Sequence, residues 1–238
     1  MARVIPAGRG RYRDTLAWVI IVAIAVGVGW FYLHDQRSRK AVPQEFPANP
    51  AFGVARRRLD ALPVKGWDRF HDFSRARFGE PWSDDVNVEF GHNGCNTRDD
   101  ILRRDLADLQ LRSGTCFAQR GVLHDPYTGA TVVFVRGPDS SPVVQIDHVV
   151  SLSDAWYKGA RFWDDQRRRD FANDPRNLLA VAGQANFDKA FRDAASWLPP
   201  NAAFRCAFVA RQVEVKTDYQ LSVSAKEKDA MRRVLQYC

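Results

Sequence analysis

The sequence has no Cys-x-x-Cys spacing, no internal repeat and no low-complexity tract. The first absence removes the usual zinc-ribbon arrangements, and the others remove solenoid architectures and compositionally biased tails. Charge of one sign is also scarce where it would matter. The 238 residues hold 35 Lys plus Arg against 28 Asp plus Glu, a formal net charge of +7. That excess lies near the N-terminus: residues 1–14 carry four arginines against Asp14, and residues 34–60 carry six basic against three acidic residues. From residue 61 onward 25 basic residues face 24 acidic ones, so bulk charge gives no nucleic-acid signal for the domain. At 45% hydrophobic and 26% charged, the composition is that of a globular protein and excludes disorder, collagen and coiled coil.

What is present begins with one apolar run. Thr15 to Leu33 spans 19 residues without a charge, enough at about 1.5 Å per residue to cross a hydrocarbon core of about 30 Å. Trp18, Trp30 and Tyr32 lie toward its ends, where amphipathic rings favour the headgroup level. Residues 15–33 are therefore expected to anchor the chain in a membrane, after a basic cytoplasmic segment 1–14. Arg3, Arg9, Arg11 and Arg13 before the span place the N-terminus inside and the bulk of the chain outside. The small-x-small sequence Ala23-Ile24-Ala25 supports the alternative, secretion after signal cleavage. Residues 34–60, with three prolines and no sustained periodicity, read as a tether, which leaves residues 61–238 for one domain.

Cysteine usage bears on the orientation independently. Cys95, Cys116, Cys206 and Cys238 all follow the apolar run, and an even number in an exported domain points to two disulfides. Pairing Cys95 with Cys116 and Cys206 with Cys238 closes one local unit of chain each, stabilising by roughly 3–4 kcal/mol per bridge on the chain-entropy account. Free thiols would instead indicate inverted topology and a cytoplasmic domain.

Within the domain, Thr97 reads as the cap of a helix carrying Ile101, Leu102, Leu106 and Leu109 on one face. Val122-Leu123 and residues 130–135 read as strands around the turn Asp125-Pro126-Tyr127-Thr128-Gly129, and residues 143–146 as a strand delivering Asp147 and His148 at its end. Residues 177–181 suit another strand, Gln184 to Ala190 a helix, and Ser224-Ala225-Lys226-Glu227 is a capping box opening a last helix. The fold class expected is α+β.

The span from Asp147 to Lys189 carries the chemistry: an acid beside a histidine at a strand end, an asparagine (Asn177) opening a second apolar segment, and Asn186 on a helix start. In this order the residues resemble the HNH nuclease motif, a ββα unit that holds one divalent cation. Cys95-Asn96-Thr97-Arg98, the 125–129 turn, Ile146-Asp147-His148-Val149-Val150, Ala172-Asn173-Asp174-Pro175-Arg176-Asn177-Leu178 and Trp197-Leu198-Pro199-Pro200 extend the likeness. From about residue 60 to Cys238 the chain resembles the secreted HNH endonucleases of actinobacteria, a family related to the C-terminal domain of the GmrSD modification-dependent restriction enzymes.

The resemblance implies a metal-dependent endonuclease acting on nucleic acid, DNA in preference to RNA. His148 would be the general base, since an imidazole titrates near working pH and takes a proton from water in one step. Asp147 and Asn186 would ligate the metal, and an amide in place of the third histidine favours Mg²⁺ or Mn²⁺ over Zn²⁺. Asn177 would orient the histidine or hold the loop in register. Lys189, one helical turn beyond Asn186, would reach phosphate, as would Arg98 and Arg176. No nucleotide cofactor is expected, and the sequence carries no signal of oligomeric state. The competing function is a catalytically inactive envelope binding or scaffold protein on the same fold, which the near-neutral domain charge favours.

Overall fold

The computed structural model describes residues 50–66, 72–138 and 141–238. The apolar run 15–33 and the tether up to residue 49 lie outside the described residues. Among the described residues no helix is long and apolar enough to cross a membrane. Helix α1 (Pro50–Ala61) forms where the tether was expected to continue. Ala55, Leu59 and Leu62 recur at helical spacing and are buried, so this stretch belongs to the domain. The consecutive Arg56, Arg57 and Arg58 mask that spacing in the sequence.

Helix α2 (Thr97–Asp105) is capped by Asn96 rather than Thr97: the Asn96 side chain accepts from the Asp99 amide at 3.0 Å. It also stops earlier than its apolar spacing suggests. Leu106 is extended, and Leu106 and Leu109 belong to strand β1 (Leu106–Leu111), paired antiparallel with β2 (Ala118–His124). Apolar residues at 101/102, 106 and 109 fit a helix face or a helix followed by a strand, and pairing of Leu106 with Leu123 decides between them. Strand β3 (Thr131–Val135) completes an antiparallel sheet in the order β1-β2-β3.

A second, two-stranded sheet pairs β4 (Val144–His148) with β5 (Leu178–Ala182), antiparallel, with Asp147 opposite Leu179 and His148 opposite Leu178. Between them run α3 (Leu152–Tyr157) and α4 (Asp165–Asn173). Directly after β5 comes α5 (Gly183–Lys189). It opens on glycine because a Cβ there would lie 2.2 Å from the Pro142 carbonyl oxygen. Helices α6 (Arg205–Asp218) and α7 (Ala225–Leu235) close the chain, α7 with the capping box between Ser224 and Glu227.

The two-residue period of a strand sends alternate side chains to opposite faces, and here both faces are buried. Val144, Ile146, Leu178 and Ala180 pack with Ile101, Leu102, Leu123 and Phe134. Leu179 and Val181 pack on the other side with Leu59, Phe208, Val213, Met231 and Leu235. A third cluster, around Phe78, Trp156, Phe171 and Tyr219, supports α3 and α4. The disulfides are Cys95–Cys116 and Cys206–Cys238, and no cysteine is free. Strand alternation thus sends Asp147 and His148 to different environments.

Candidate active site

At the end of β4 lies a cavity of about 500 Å³ whose walls include Trp82, Arg98, Asp147, His148, Asn186 and Phe191. His148 is on its floor, 7% exposed, with ring Nε2 2.8 Å from the Ala172 carbonyl oxygen. That carbonyl accepts from an imidazole N–H and so leaves the lone pair on the other ring nitrogen. The Trp82 indole lies nearly parallel to the imidazole, with centroids 5.8 Å apart and planes 14° apart. Burial pushes the His148 pKa down to about 3, against the opposing pull of the Ala172 hydrogen bond. The ring is therefore neutral at physiological pH.

Trp82 sits at φ +60°, an uncommon backbone conformation for a bulky residue. Its carbonyl accepts from the Thr97 amide at 3.1 Å, which ties the loop bearing the indole to the start of α2. No sequence pattern marks this residue, since neither its backbone angle nor its long-range stacking leaves a local signal.

Asp147 faces the other way, 4% exposed. One carboxylate oxygen accepts from Lys189 Nζ at 3.0 Å and the other from the Tyr127 hydroxyl at 2.5 Å. Burial raises the pKa of Asp147, and the Lys189 ammonium works against that rise. Burial likewise pushes the Tyr127 hydroxyl well above its ordinary range, so it stays a donor to the carboxylate. Tyr127, expected only as a turn residue, enters the site because the 125–129 turn is folded over the core by Asp125, whose carboxylate accepts from the Tyr127, Thr128 and Ala182 amides.

The remaining expected residues divide. Lys189 is fully buried, donating to Asp147 and, at 2.8 Å, to the His148 carbonyl oxygen; it has no access to a phosphate in solvent. The helical spacing that relates it to Asn186 is present, but α5 packs against β4, so the lysine points inward. Asn177 is also fully buried: its Oδ1 accepts from the Val150 amide at 2.8 Å and its Nδ2 donates to the Val150 carbonyl at 3.2 Å. It clasps the chain two residues past the histidine. Asn186 lines the cavity, with Nδ2 donating to Gln145 Oε1 at 2.8 Å.

Arg98 lines the cavity as well, its guanidinium donating to the Val144 carbonyl at 3.1 Å. Arg176 is placed otherwise. It is held by Asp174 and Asp218, each at 2.6 Å, and ties the turn before β5 to the end of α6. The structure thus brings His148, Asp147, Asn186 and Arg98 to one cavity, with Asn177 and Lys189 behind it and Arg176 outside it.

The GmrSD restriction endonuclease C-terminal domain family matches residues 96–234, which includes every one of these groups. An uncharacterized secreted protein of Arthroderma benhamiae is 36% identical over 199 residues, covering 82% of this chain and 91% of the relative. No solved structure matches the chain. With the family match extending over more than half of the residues and including Arg98, Asp147, His148, Asn186 and Phe191 of the cavity wall, the chain belongs to the GmrSD restriction endonuclease C-terminal domain family.

Proposed function

We propose that this chain is a metal-dependent endonuclease of the HNH type, hydrolysing phosphodiester bonds of DNA, with RNA as the alternative substrate, outside the cytoplasm. The observation that carries this reading is His148: a neutral imidazole on a cavity floor, oriented by a backbone carbonyl and flanked by Asp147, Asn186 and Arg98. In hydrolysis the water oxygen attacks phosphorus, the bond to the 3′ oxygen breaks, and His148 accepts the water proton. Arg98 supplies positive charge beside the phosphate. Asn177 positions His148 through its two bonds to Val150.

The donor set suits a hard divalent cation. A carboxylate offers about four acceptor positions. Tyr127 and Lys189 occupy one on each oxygen of Asp147. The Asn186 nitrogen is committed to Gln145, which makes the amide oxygen its other end. Asp147 and Asn186 would hold Mg²⁺ or Mn²⁺, which when bound neutralises charge on the scissile phosphate and the leaving oxygen. Here β4, β5 and α5 would be the ββα unit. Lys189 works against the burial that raises the Asp147 pKa and is a positioning residue, not a phosphate ligand.

Delivery outside the cytoplasm is supported by the two disulfides, which persist in oxidising compartments, and by the secreted relative. Whether residues 15–33 stay as an anchor is a property of a segment outside the described residues, and the proposal holds for either form.

The test is cleavage of plasmid and of single-stranded DNA by the full chain with Mg²⁺, Mn²⁺ or EDTA, beside His148→Ala. Metal-dependent cutting that falls about 10²–10⁴-fold in the variant, with its near-ultraviolet circular dichroism retained, is the expected result. A folded, disulfide-intact protein that cuts neither DNA nor RNA with any divalent metal would overturn the enzyme and return the scaffold reading.

A further inference from the structure

Two features of the cavity wall bear on what it binds. The first is its arginines. Across the described residues several arginines have carboxylate partners, among them Arg103 with Asp100, Arg104 with Asp105, Arg136 with Asp99, Arg168 with Asp165, and Arg232 with Asp60. Arg75 and Arg98 line the cavity, and among the described residues neither has a carboxylate within ion-pair distance. Among the described residues Asp147 is the one carboxylate on the wall, and it is already compensated by Lys189. The cavity is therefore locally cationic in a domain whose total charge is almost balanced.

The second is a phenylalanine on its rim, with another exposed ring one turn earlier in the chain. Phe191 is 63% exposed and lines the cavity, and Phe187, which follows Asn186 in α5, is 77% exposed. Leaving two phenyl rings in water, one of them on a polar cavity, forgoes the usual burial of an aromatic side chain. The chain reaches Phe191 through Ala190, at φ +51° and ψ −126°, a region otherwise almost confined to glycine. Ser151 Oγ then donates to the Phe191 carbonyl at 3.3 Å and fastens the rim to the loop after β4.

From the exposed phenyl rings and the guanidinium groups without a carboxylate partner we infer that the cavity takes an unpaired, single-stranded polynucleotide, with Phe191 and Phe187 stacking on its bases and Arg75 and Arg98 contacting its phosphates. This inference rests on the nuclease reading and specifies its substrate. In a duplex the base faces are covered by neighbouring bases and only charged backbone reaches the protein, so the two phenyl rings would be set against phosphates. In a single strand every base has a free π-face, and stacking is tolerant of sequence. Affinity for duplex depends heavily on many basic contacts and counterion release, which 25 basic against 24 acidic residues from position 61 onward do not supply. Two arginines and two rings are instead the economy of a short single-strand site.

The experiment is fluorescence anisotropy of a short labelled oligodeoxynucleotide, single-stranded or annealed to its complement, with the full chain in mild detergent and EDTA. The single strand should bind at least about tenfold more tightly than the duplex, and Phe191→Ala should weaken single-strand binding about tenfold while leaving duplex binding within about twofold. Phe187→Ala should act in the same direction. Both side chains are largely exposed, so neither variant threatens folding. With two phosphates neutralised, the logarithm of the single-strand association constant should fall with the logarithm of salt at a slope of about −1.4. Equal binding of duplex and single strand, or an unaltered Phe191→Ala, would overturn the inference.

Cleavage by the unaltered chain with Mg²⁺ separates the two levels. Duplex cut as fast as single strand, with loss of cutting in His148→Ala, overturns the single-strand inference and leaves the nuclease standing. Selective binding through Phe191 with no cleavage by any metal supports the single-strand site and overturns the nuclease.

Discussion

Lys189 and Lys216 are both fully buried and both paired with carboxylates, yet one lies behind a solvent cavity and the other is sealed inside the protein. Lys216 donates to Asp154 at 2.6 Å and lies 2.7 Å from Glu227, and Lys158 contacts Asp154, Asp193 and Glu227. The three carboxylates approach within 4.8 Å of one another, a spacing that would suit a cation. Two ammonium groups already fill it. Burial pushes Glu227 up, while for Asp154 the two lysines outweigh burial and hold it down. This network joins α3, α6, α7 and the segment after α5, and Asp154, Lys158, Lys216 and Glu227 are all buried. The Asp147–Lys189–Tyr127 group has the same chemistry in miniature but touches the cavity on which His148 opens. Buried charge by itself therefore marks strength of assembly, and access to a cavity is what turns it toward chemistry.

The comparison is broken or sharpened most strongly by removing each lysine. Lys216→Met leaves Asp154, Asp193 and Glu227 with Lys158 as their one remaining cation and should cost about 3–5 kcal/mol, read from urea unfolding. Cleavage per folded molecule should be unchanged. Lys189→Met strands Asp147 and should cost a similar amount, but here cleavage per folded molecule should fall as well, because the carboxylate beside His148 protonates or swings away. Equal effects of the two variants on specific activity would abolish the distinction drawn between the networks.

A smaller effect follows from His148. Its pKa in the folded protein is about 3, below the ordinary 6.5, so as pH falls the unfolded chain takes up the proton first. The stabilisation from keeping this ring neutral is fully present above pH 6.5 and is lost progressively as pH drops toward 3. Between pH 6.5 and about 5 the loss should approach 2 kcal/mol in EDTA. His148→Gln should lose that much less over the same interval. Identical pH profiles for the two proteins would show that the ring is not buried as described.

How much of this was readable from the sequence depends on how local each feature is. The two strands 144–148 and 178–182 and the helix after them follow from alternation, a short apolar run and a helix start, all visible within a few residues. Both disulfides follow from pairing cysteines that bracket local units. The helix over 50–61 was hidden because arginines interrupt its apolar spacing, and the end of α2 was misjudged because a leucine pattern serves two structures equally. Within the site, His148, Asp147 and Asn186 share a cavity with Arg98, and what singles them out in the sequence is the resemblance to the HNH motif and its flanking segments, not a local pattern. The inward turn of Lys189, the capture of Arg176 by Asp174 and Asp218, and the stacking of Trp82 on His148 depend on packing between segments far apart in sequence. No periodicity or spacing encodes those contacts.

Helix caps supply the finest test of the same comparison, since each region has one. Ser224 Oγ accepts from the Glu227 amide at 3.1 Å, and Glu227 belongs to the sealed network. Asn96 Oδ1 accepts from the Asp99 amide at 3.0 Å and opens the helix that carries Arg98 to the cavity. Replacing either cap by alanine should cost about 1 kcal/mol, measured as a fall in the urea midpoint. Ser224→Ala should stop there, because Lys158 and Lys216 continue to hold Glu227 in place. Asn96→Ala also loses the 2.7 Å bond from its amide nitrogen to Asp99 and loosens the first turn. It should therefore weaken oligonucleotide binding in proportion to the displacement of Arg98. Equal stability losses with unequal binding losses are the expected outcome. If both variants bind nucleic acid as the parent does, Arg98 is no part of the binding surface.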